Sequence, residues 1–136
     1  MSNLEKAQAL LQSINDDDLE AGARLFADDA EWVELPLGLT YRGPAGWHEN
    51  VNYWRTGFSE GGVEVTNTID GGDFVVLEYT GSGVNTGPLL TPQGRIEPTG
   101  ERVVAEFVDV WEFRDGVIVR GRSYVGGLMA ALAKPR

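Results

Sequence analysis

A single carboxylate interrupts an otherwise apolar strand face in the segment 102–114. Alternate residues of a strand share one face, and here that face carries Val103, Ala105, Phe107, Asp109, Trp111 and Phe113. An isolated carboxylate among such neighbours is costly unless it is protonated, paired or in contact with a polar ligand. We therefore predict that Asp109 belongs to a functional site, where a raised pKa would let it donate a hydrogen bond. Pairing with a tyrosine or an arginine would instead make it structural.

Glu34 is the second candidate and lies in the β-rich run 31–35. Trp32 shares its face, whereas Val33 and Leu35 share the opposite face. If the Trp32 face lines a cavity, Glu34 is a general base in apolar surroundings. If the other face is inside, Glu34 is a solvated surface acid. Periodicity alone leaves both interpretations open.

Other chemistries find little support in the sequence. His48 is the only histidine, and it lies off the apolar stripe of its predicted helix, which favours a surface position over a catalytic one. Without cysteine or paired histidines the chain predicts no metal site, and it has no glycine-rich nucleotide loop or serine-nucleophile motif. We predict no cofactor.

Aromatic side chains around the two carboxyls would suit a flat, apolar substrate. The chain has four tyrosines, and we expect only one or two of them to face a ligand while the others pack. The residues predicted to contact substrate are Trp32, Tyr53, Trp54, Tyr79, Phe107, Trp111 and Tyr124.

Three helices are predicted in the first half of the chain. Apolar residues at helical spacing indicate a helix over 3–15, and the acidic run 16–18 caps a second helix that ends near residues 28–29. A strand over 30–35 follows. The third helix begins at Gly43-Pro44 and carries an apolar stripe of Trp47, Val51, Trp54 and Phe58.

The second half of the chain is β-rich, with strands predicted over 63–70, 74–82, 102–114 and 117–124. The glycine- and proline-rich loop 83–100 is expected to form the pocket rim, with Asn85 in a turn. A short helical patch is predicted within the tail, over 128–132. Helices followed by strands indicate an α+β fold in one domain, 1–136. We expect a cone-shaped, strongly curved antiparallel sheet wrapped around the helices and enclosing one apolar pocket.

Charge and hydropathy exclude several classes of function. The chain has 136 residues, of which 11 are Lys or Arg and 21 are Asp or Glu, for a net charge of −10. Such a field disfavours nucleic acids and anionic membranes as partners. No apolar run approaches the roughly 18 residues that span a bilayer, and the start of the chain does not resemble a signal peptide. We expect a cytoplasmic protein.

Two segments resemble ketosteroid isomerase. FADDA at 26–30, followed by ELPLG at 34–38, is similar to one segment of that family, and VDVWEF at 108–113 is similar to its aspartate-bearing strand. TGP at 86–88, PTG at 98–100 and DVWEFRDG at 109–116 resemble the SnoaL-like polyketide cyclases. Both families share the cone-shaped fold of nuclear transport factor 2, a fold that hosts enzymes and non-enzymes alike.

The resemblance implies roles for individual residues. Asp109 falls on the isomerase's protonated oxyanion-hole aspartic acid, and Glu34 falls on its base, which places the Trp32 face inside. Leu10 stands where the isomerase has its oxyanion tyrosine, and Ser123 stands where the cyclases have an acid/base aspartate. Neither parent chemistry transfers intact. A replacement donor would come from one of three tyrosines: Tyr53, Tyr79 or Tyr124.

The resemblance and the two acids together predict a cofactor-independent acid–base enzyme. It would act as a cyclase or an isomerase on a hydrophobic, carbonyl-containing intermediate of polyketide type. One alternative is epoxide opening, with Arg122 between the two acids. Another is a ligand-binding or scaffolding protein without catalysis. Relatives of this fold often pair, so a homodimer is expected.

Overall fold

The computed structural model describes residues 1–127 as an α+β domain with three helices packed against a curved sheet. The helices are α1 (Asn3–Asn15), α2 (Leu19–Ala23) and α3 (Gly43–Gly57). The strands are β1 (Phe26–Leu35), β2 (Leu39–Arg42), β3 (Phe58–Gly71), β4 (Phe74–Asn85), β5 (Leu89–Thr91), β6 (Gly94–Ile96), β7 (Arg102–Arg114) and β8 (Val117–Gly126). The predicted fold class is thus confirmed, while the helical patch predicted over 128–132 lies outside the described residues.

Six strands form the main sheet in the order β2-β1-β8-β7-β4-β3. Every neighbouring pair is antiparallel except β1 and β8, so the sheet is mixed rather than wholly antiparallel. The parallel pair places the early strand β1 beside the end of the described chain. It therefore brings residues of β1 close to residues of β7 across a single intervening strand.

Helix α1 covers part of the sheet and begins at a capping box. The Ser2 hydroxyl accepts from the Glu5 amide, and the Glu5 carboxylate accepts from the Ser2 amide. Such an N-cap contributes about 1 kcal/mol to helix stability. The helix buries Ala7, Leu10 and Leu11 against the sheet. Among residues 1–127, no helix is long and apolar enough to cross a membrane.

The prediction for residues 24–29 is wrong, because α2 ends at Ala23 and β1 already begins at Phe26. Phe26 is buried, pairs across from Ile118 and stacks on Trp32 with 4.4 Å between ring centroids. Strand pairing and aromatic packing outweigh the helix propensity of this segment. The short strand β2 was also missed by the sequence analysis.

The segment 83–100 is more ordered than the predicted loop. Strand β4 continues to Asn85, and β5 and β6 form a small hairpin inside the segment. Asn85 is fully buried, donates to the carbonyl oxygens of Gly57 and Gly87, and accepts from the Thr99 amide. Asn85 thus ends a strand, where the sequence predicted a turn, and its side chain ties the segment together, while Leu89 of the same segment packs into the core.

Candidate active site

A cavity of about 420 Å³ lies between the helices and the sheet. That volume falls in the range of small-molecule sites, and most of the lining is apolar or aromatic. Its walls include Trp32, Glu34, Asn50, Val51, Trp54, Tyr79, Val103, Ala105, Phe107, Asp109, Trp111 and Ser123.

The sheet register places the two predicted acids in one row. Glu34 on β1 lies opposite Ser123 on β8, and Ser123 lies opposite Asp109 on β7. With neighbouring strands about 4.8 Å apart, the Cα atoms of the two acids are about 10 Å apart. Both side chains are buried, with exposed fractions of 3% for Glu34 and 2% for Asp109. The Trp32 face of β1 is therefore the inner face, which decides the alternative that periodicity left open.

Asp109 is held by two hydroxyl groups. Tyr79 Oη donates to both carboxylate oxygens, at 3.0 Å and 3.1 Å, and Ser123 Oγ donates to Oδ1 at 2.6 Å. Burial raises the pKa of Asp109 to about 6, and these two hydrogen bonds oppose the rise because they stabilise the carboxylate. The pairing with Tyr79 is the one expected if Asp109 were purely structural. Asp109 nevertheless borders the cavity as well.

Glu34 has only one partner for its two oxygens. Asn50 Nδ2 donates to Oε2 at 3.2 Å, whereas Oε1 has no hydrogen-bond partner among residues 1–127. Burial raises the pKa of Glu34 to about 7, although Asn50 and Trp54 lower it, and the negative charge of Asp109 adds to the rise. Oε1 is therefore the oxygen of Glu34 whose hydrogen-bonding capacity the described residues leave unused.

Together the two carboxyls can keep one proton near neutral pH. At pH values between about 6 and about 7, the pair is singly protonated for the most part. The cavity then contains one acid that can donate and one base that can accept. Proton transfer to and from a bound molecule is the chemistry that this arrangement allows.

Five of the seven predicted aromatic contacts border the cavity, namely Trp32, Trp54, Tyr79, Phe107 and Trp111. The other two placements are wrong. Tyr53 precedes Trp54 on α3 and turns away, so that its hydroxyl donates to the Leu90 carbonyl oxygen. Tyr124 lies on the outer sheet face and is 43% exposed, because it alternates with the inward-facing Ser123.

Arg122 and His48 also lie away from the two acids. Arg122 is exposed on the outer face of β8, so the arginine expected between the carboxyls is not there. His48 Nε2 lies 3.3 Å from a Glu20 carboxylate oxygen in a surface pair, as the sequence favoured. Among the described residues, no group of three His, Asp or Glu side chains could hold a metal ion.

Asn50 and the cavity mouth were missed by the sequence analysis. Asn50 lies one turn after Trp47 and within the apolar stripe of α3, and a polar residue in that stripe was an available signal. The mouth is bordered by residues 58–63 of β3 and by Gly83, so the rim predicted over 83–100 is wrong apart from that glycine. A bulge between Ser59 and Gly62 shapes this edge.

Known structures with the same architecture include the "Putative SnoaL-like polyketide cyclase" of Jannaschia sp. CCS1. It shares 20% identity over 98% of this chain and 93% of its own, with a TM-score of 0.83. IdmH of Streptomyces antibioticus, "a putative polyketide cyclase", shares 22% identity over 98% of its chain and 97% of this one, with a TM-score of 0.76. An NTF2-like protein of Burkholderia thailandensis E264 shares 20% identity over 99% of both chains, with a TM-score of 0.78.

At these identities the structural neighbours show the fold. A search of curated proteins found no match. The profile of the SnoaL-like domain matches residues 7–121, which include both buried carboxyls and most of the cavity wall. The chain therefore belongs to the SnoaL-like domain family.

Proposed function

We propose that the protein is a cofactor-independent acid–base enzyme that cyclises or isomerises a hydrophobic carbonyl compound through an enol or enolate. The observation that carries the proposal is the pair of buried carboxyls, with pKa values of about 7 and about 6, in one mostly apolar cavity. Neighbours that are named as polyketide cyclases support a polyketide-type substrate.

In the proposed reaction Glu34 acts as the base. Its free oxygen, Oε1, takes a proton from the carbon next to the substrate carbonyl. The C–H electron pair forms the C=C bond of the enolate, and the π pair of the carbonyl moves onto its oxygen. Protonated Asp109 donates a hydrogen bond to the oxyanion that develops. In an isomerase, protonated Glu34 returns the proton to another carbon. In a cyclase, the enolate carbon attacks a second carbonyl of the same substrate, whose oxygen then takes the proton.

Two observations favour the opposite assignment, in which Asp109 is the base and Glu34 is the acid. Asp109 accepts two hydroxyl hydrogen bonds, and its pKa is the lower of the two, so the free protein keeps the shared proton mainly on Glu34. A difference of one pKa unit corresponds to about 1.4 kcal/mol. A hydrogen bond from protonated Asp109 to the substrate oxygen becomes charge-assisted as the oxyanion develops, and at about 1.5–3 kcal/mol it is strong enough to outweigh this difference in the transition state.

The alternative of epoxide opening loses its expected arginine, because Arg122 lies on the outer face. The non-catalytic alternative requires a bound ligand that undergoes no proton exchange. Both the main proposal and the non-catalytic alternative are therefore decided by whether bound ketones lose α-protons.

The first test is deuterium exchange at the α-carbons of flat ketones in D₂O, followed by NMR. Suitable probes are 1-tetralone, 2-tetralone and 2-acetyl-1-tetralone. We expect the protein to accelerate exchange, and Glu34→Gln to lower the rate by roughly 10²–10⁴ because it removes a positioned base. Glu31→Gln is the matched control, since Glu31 lies on the exposed side of the same strand.

Two variants of Asp109 separate the two assignments. Asn keeps a hydrogen-bond donor but cannot ionise, so Asp109→Asn retains much of the activity if Asp109 is a neutral donor. Asp109→Ala then loses more, and it also leaves Tyr79 and Ser123 without their partner. If Asp109 is the base, both variants are equally inactive. Ketones that bind without any exchange would contradict catalysis and leave the binding-protein alternative.

A further inference from the structure

We propose that the indole N–H of Trp111 is a substrate-binding donor that holds the carbonyl oxygen together with Asp109. This inference rests on the proposed function and names the second donor of its oxyanion site. The donor would act on the same oxygen that accepts from Asp109. Substrates that fit would carry a carbonyl or phenolate oxygen at this end and an acidic proton facing Glu34 Oε1.

Trp111 carries a buried donor that is not satisfied. Its side chain is 1% exposed, and Nε1 has no hydrogen-bond partner among residues 1–127. An unsatisfied buried polar group costs about 1–3 kcal/mol. Trp47 provides the contrast, because its equally buried Nε1 donates to Ser13 Oγ at 3.2 Å. Glu34 Oε1 is the other unsatisfied buried side-chain atom of the described residues, and both residues line the same cavity.

The Trp111 ring is held on three sides. Phe26 meets it edge-on at 5.6 Å between centroids, and Trp32 does so at 5.9 Å. Gly121 lies opposite Trp111 on β8, and a Cβ atom there would come within 2.4 Å of the ring. Only glycine leaves room for the indole in this position. The direction of the N–H is therefore set by the core rather than by a flexible side chain.

The position of Trp111 relative to Asp109 suits a shared acceptor. The two residues are neighbours on one face of β7, and both line the cavity. The indole also favours the ionised form of Asp109 and so lowers its pKa, although the N–H does not meet hydrogen-bond geometry with the carboxylate. One ligand oxygen placed between them can accept from both groups.

The hydroxyl groups that contact Asp109 are already engaged. The hydroxyls of Tyr79 and Ser123 both donate to Asp109. Leu10 is apolar, fully buried and offers no donor. Tyr53 and Tyr124, the remaining tyrosines considered from the sequence, do not line the cavity. The replacement donor is thus an indole rather than a phenol.

The first test uses naphthols as probes, because their oxygen resembles an enolate oxygen on a flat apolar ring. In protein labelled with ¹⁵N-tryptophan, 2-naphthol, 6-bromo-2-naphthol and 6-cyano-2-naphthol are titrated and the four indole signals are followed. We expect the Trp111 N–H proton to move downfield on binding, and to move further than that of Trp47, which also borders the cavity but already donates to Ser13 Oγ. Naphthols that bind in the cavity without moving the Trp111 signal, or that fail to bind at all, overturn the proposal.

The second test removes only the N–H. Benzothienylalanine at position 111 keeps the ring shape and replaces the nitrogen by sulfur, so the packing against Gly121 is retained. We expect naphthol affinity to fall about tenfold, the size of one lost hydrogen bond. The same substitution at Trp47 is the control, because that ring also borders the cavity but its N–H already donates to Ser13 Oγ. It should lower the melting temperature and weaken naphthol binding less than the substitution at position 111. If the parent protein and the position-111 variant bind naphthols with equal affinity, the proposal is contradicted. Neither test requires turnover, so both can succeed even if the deuterium-exchange assay of the proposed function fails.

Discussion

Burial makes each carboxyl of the cavity expensive to ionise, and the two acids are compensated to different degrees. Asp109 has two hydroxyl donors, whereas Glu34 has one amide donor and a free oxygen. Burial raises the pKa of both acids, to about 7 for Glu34 and to about 6 for Asp109. Acids with such different surroundings can divide the roles of proton donor and proton acceptor.

This burial predicts that Glu34→Gln stabilises the protein at alkaline pH. The pKa of Glu34 is raised from 4.5 to about 7 on folding, so its contribution to stability is complete below pH 4.5 and is lost as pH rises through 7. The lost contribution is on the order of 3 kcal/mol. We expect the variant to melt at a higher temperature than the parent at pH 8 and at a similar temperature at pH 4. Glu31→Gln, on the exposed side of β1, should show no such gain at pH 8, and an equal Glu34→Gln effect at both pH values would contradict the account.

At the same scale, the sequence predicted some cavity residues better than others. Asp109 was identified because every neighbour on its strand face is apolar. The face of Glu34 could not be chosen from periodicity, because Val33 and Leu35 are as apolar as Trp32. Tyr124 was misplaced because an aromatic residue can also sit on an outer sheet face, where it is half exposed.

The strands and their irregularities set the positions of the site residues and the shape of the cavity. Strand β8 brings Ser123 between the two acids, and the bulge in β3 opens the cavity mouth. A side chain at Gly61 would clash with the Ser82 carbonyl oxygen, which a Cβ atom would approach to 1.7 Å. The sequence located the long strands β7 and β8 closely, because alternation is clear there. It missed the hairpin β5–β6, because glycine and proline are as frequent in hairpins as in loops.

At the element scale we predict that Asn85→Ala destabilises the fold and leaves the acid pair unchanged. The side chain joins the end of α3 to the segment 86–99 through Gly57, Gly87 and Thr99, and its loss leaves several buried polar groups unsatisfied. We expect the free energy of unfolding to fall by about 3 kcal/mol, as measured by urea denaturation. Asn67→Ala is the control, because Asn67 is exposed. An unchanged free energy of unfolding would contradict the stabilising role of Asn85. Altered pKa values of Glu34 and Asp109 would contradict its independence from the acid pair.

At the scale of the whole molecule, the site is a product of the sheet's topology. Glu34 and Asp109 lie far apart in the sequence and become neighbours of Ser123 only because β1 pairs in parallel with β8. No local pattern encodes that pairing, and only the resemblance to a known fold indicated it. The homodimer, suggested in the same way, stays a prediction.

The sharing of one proton by Glu34 and Asp109 is the claim on which the proposed function depends. It can be measured without a substrate by ¹³C NMR titration of the Asp and Glu side-chain carboxyls, with assignments from Glu34→Gln and Asp109→Asn. We predict that the Glu34 signal titrates near pH 7 and the Asp109 signal near pH 6, well above the ordinary range of Glu and Asp carboxyls. If both signals titrate within that ordinary range, the pair holds no proton at neutral pH and the acid–base account is contradicted.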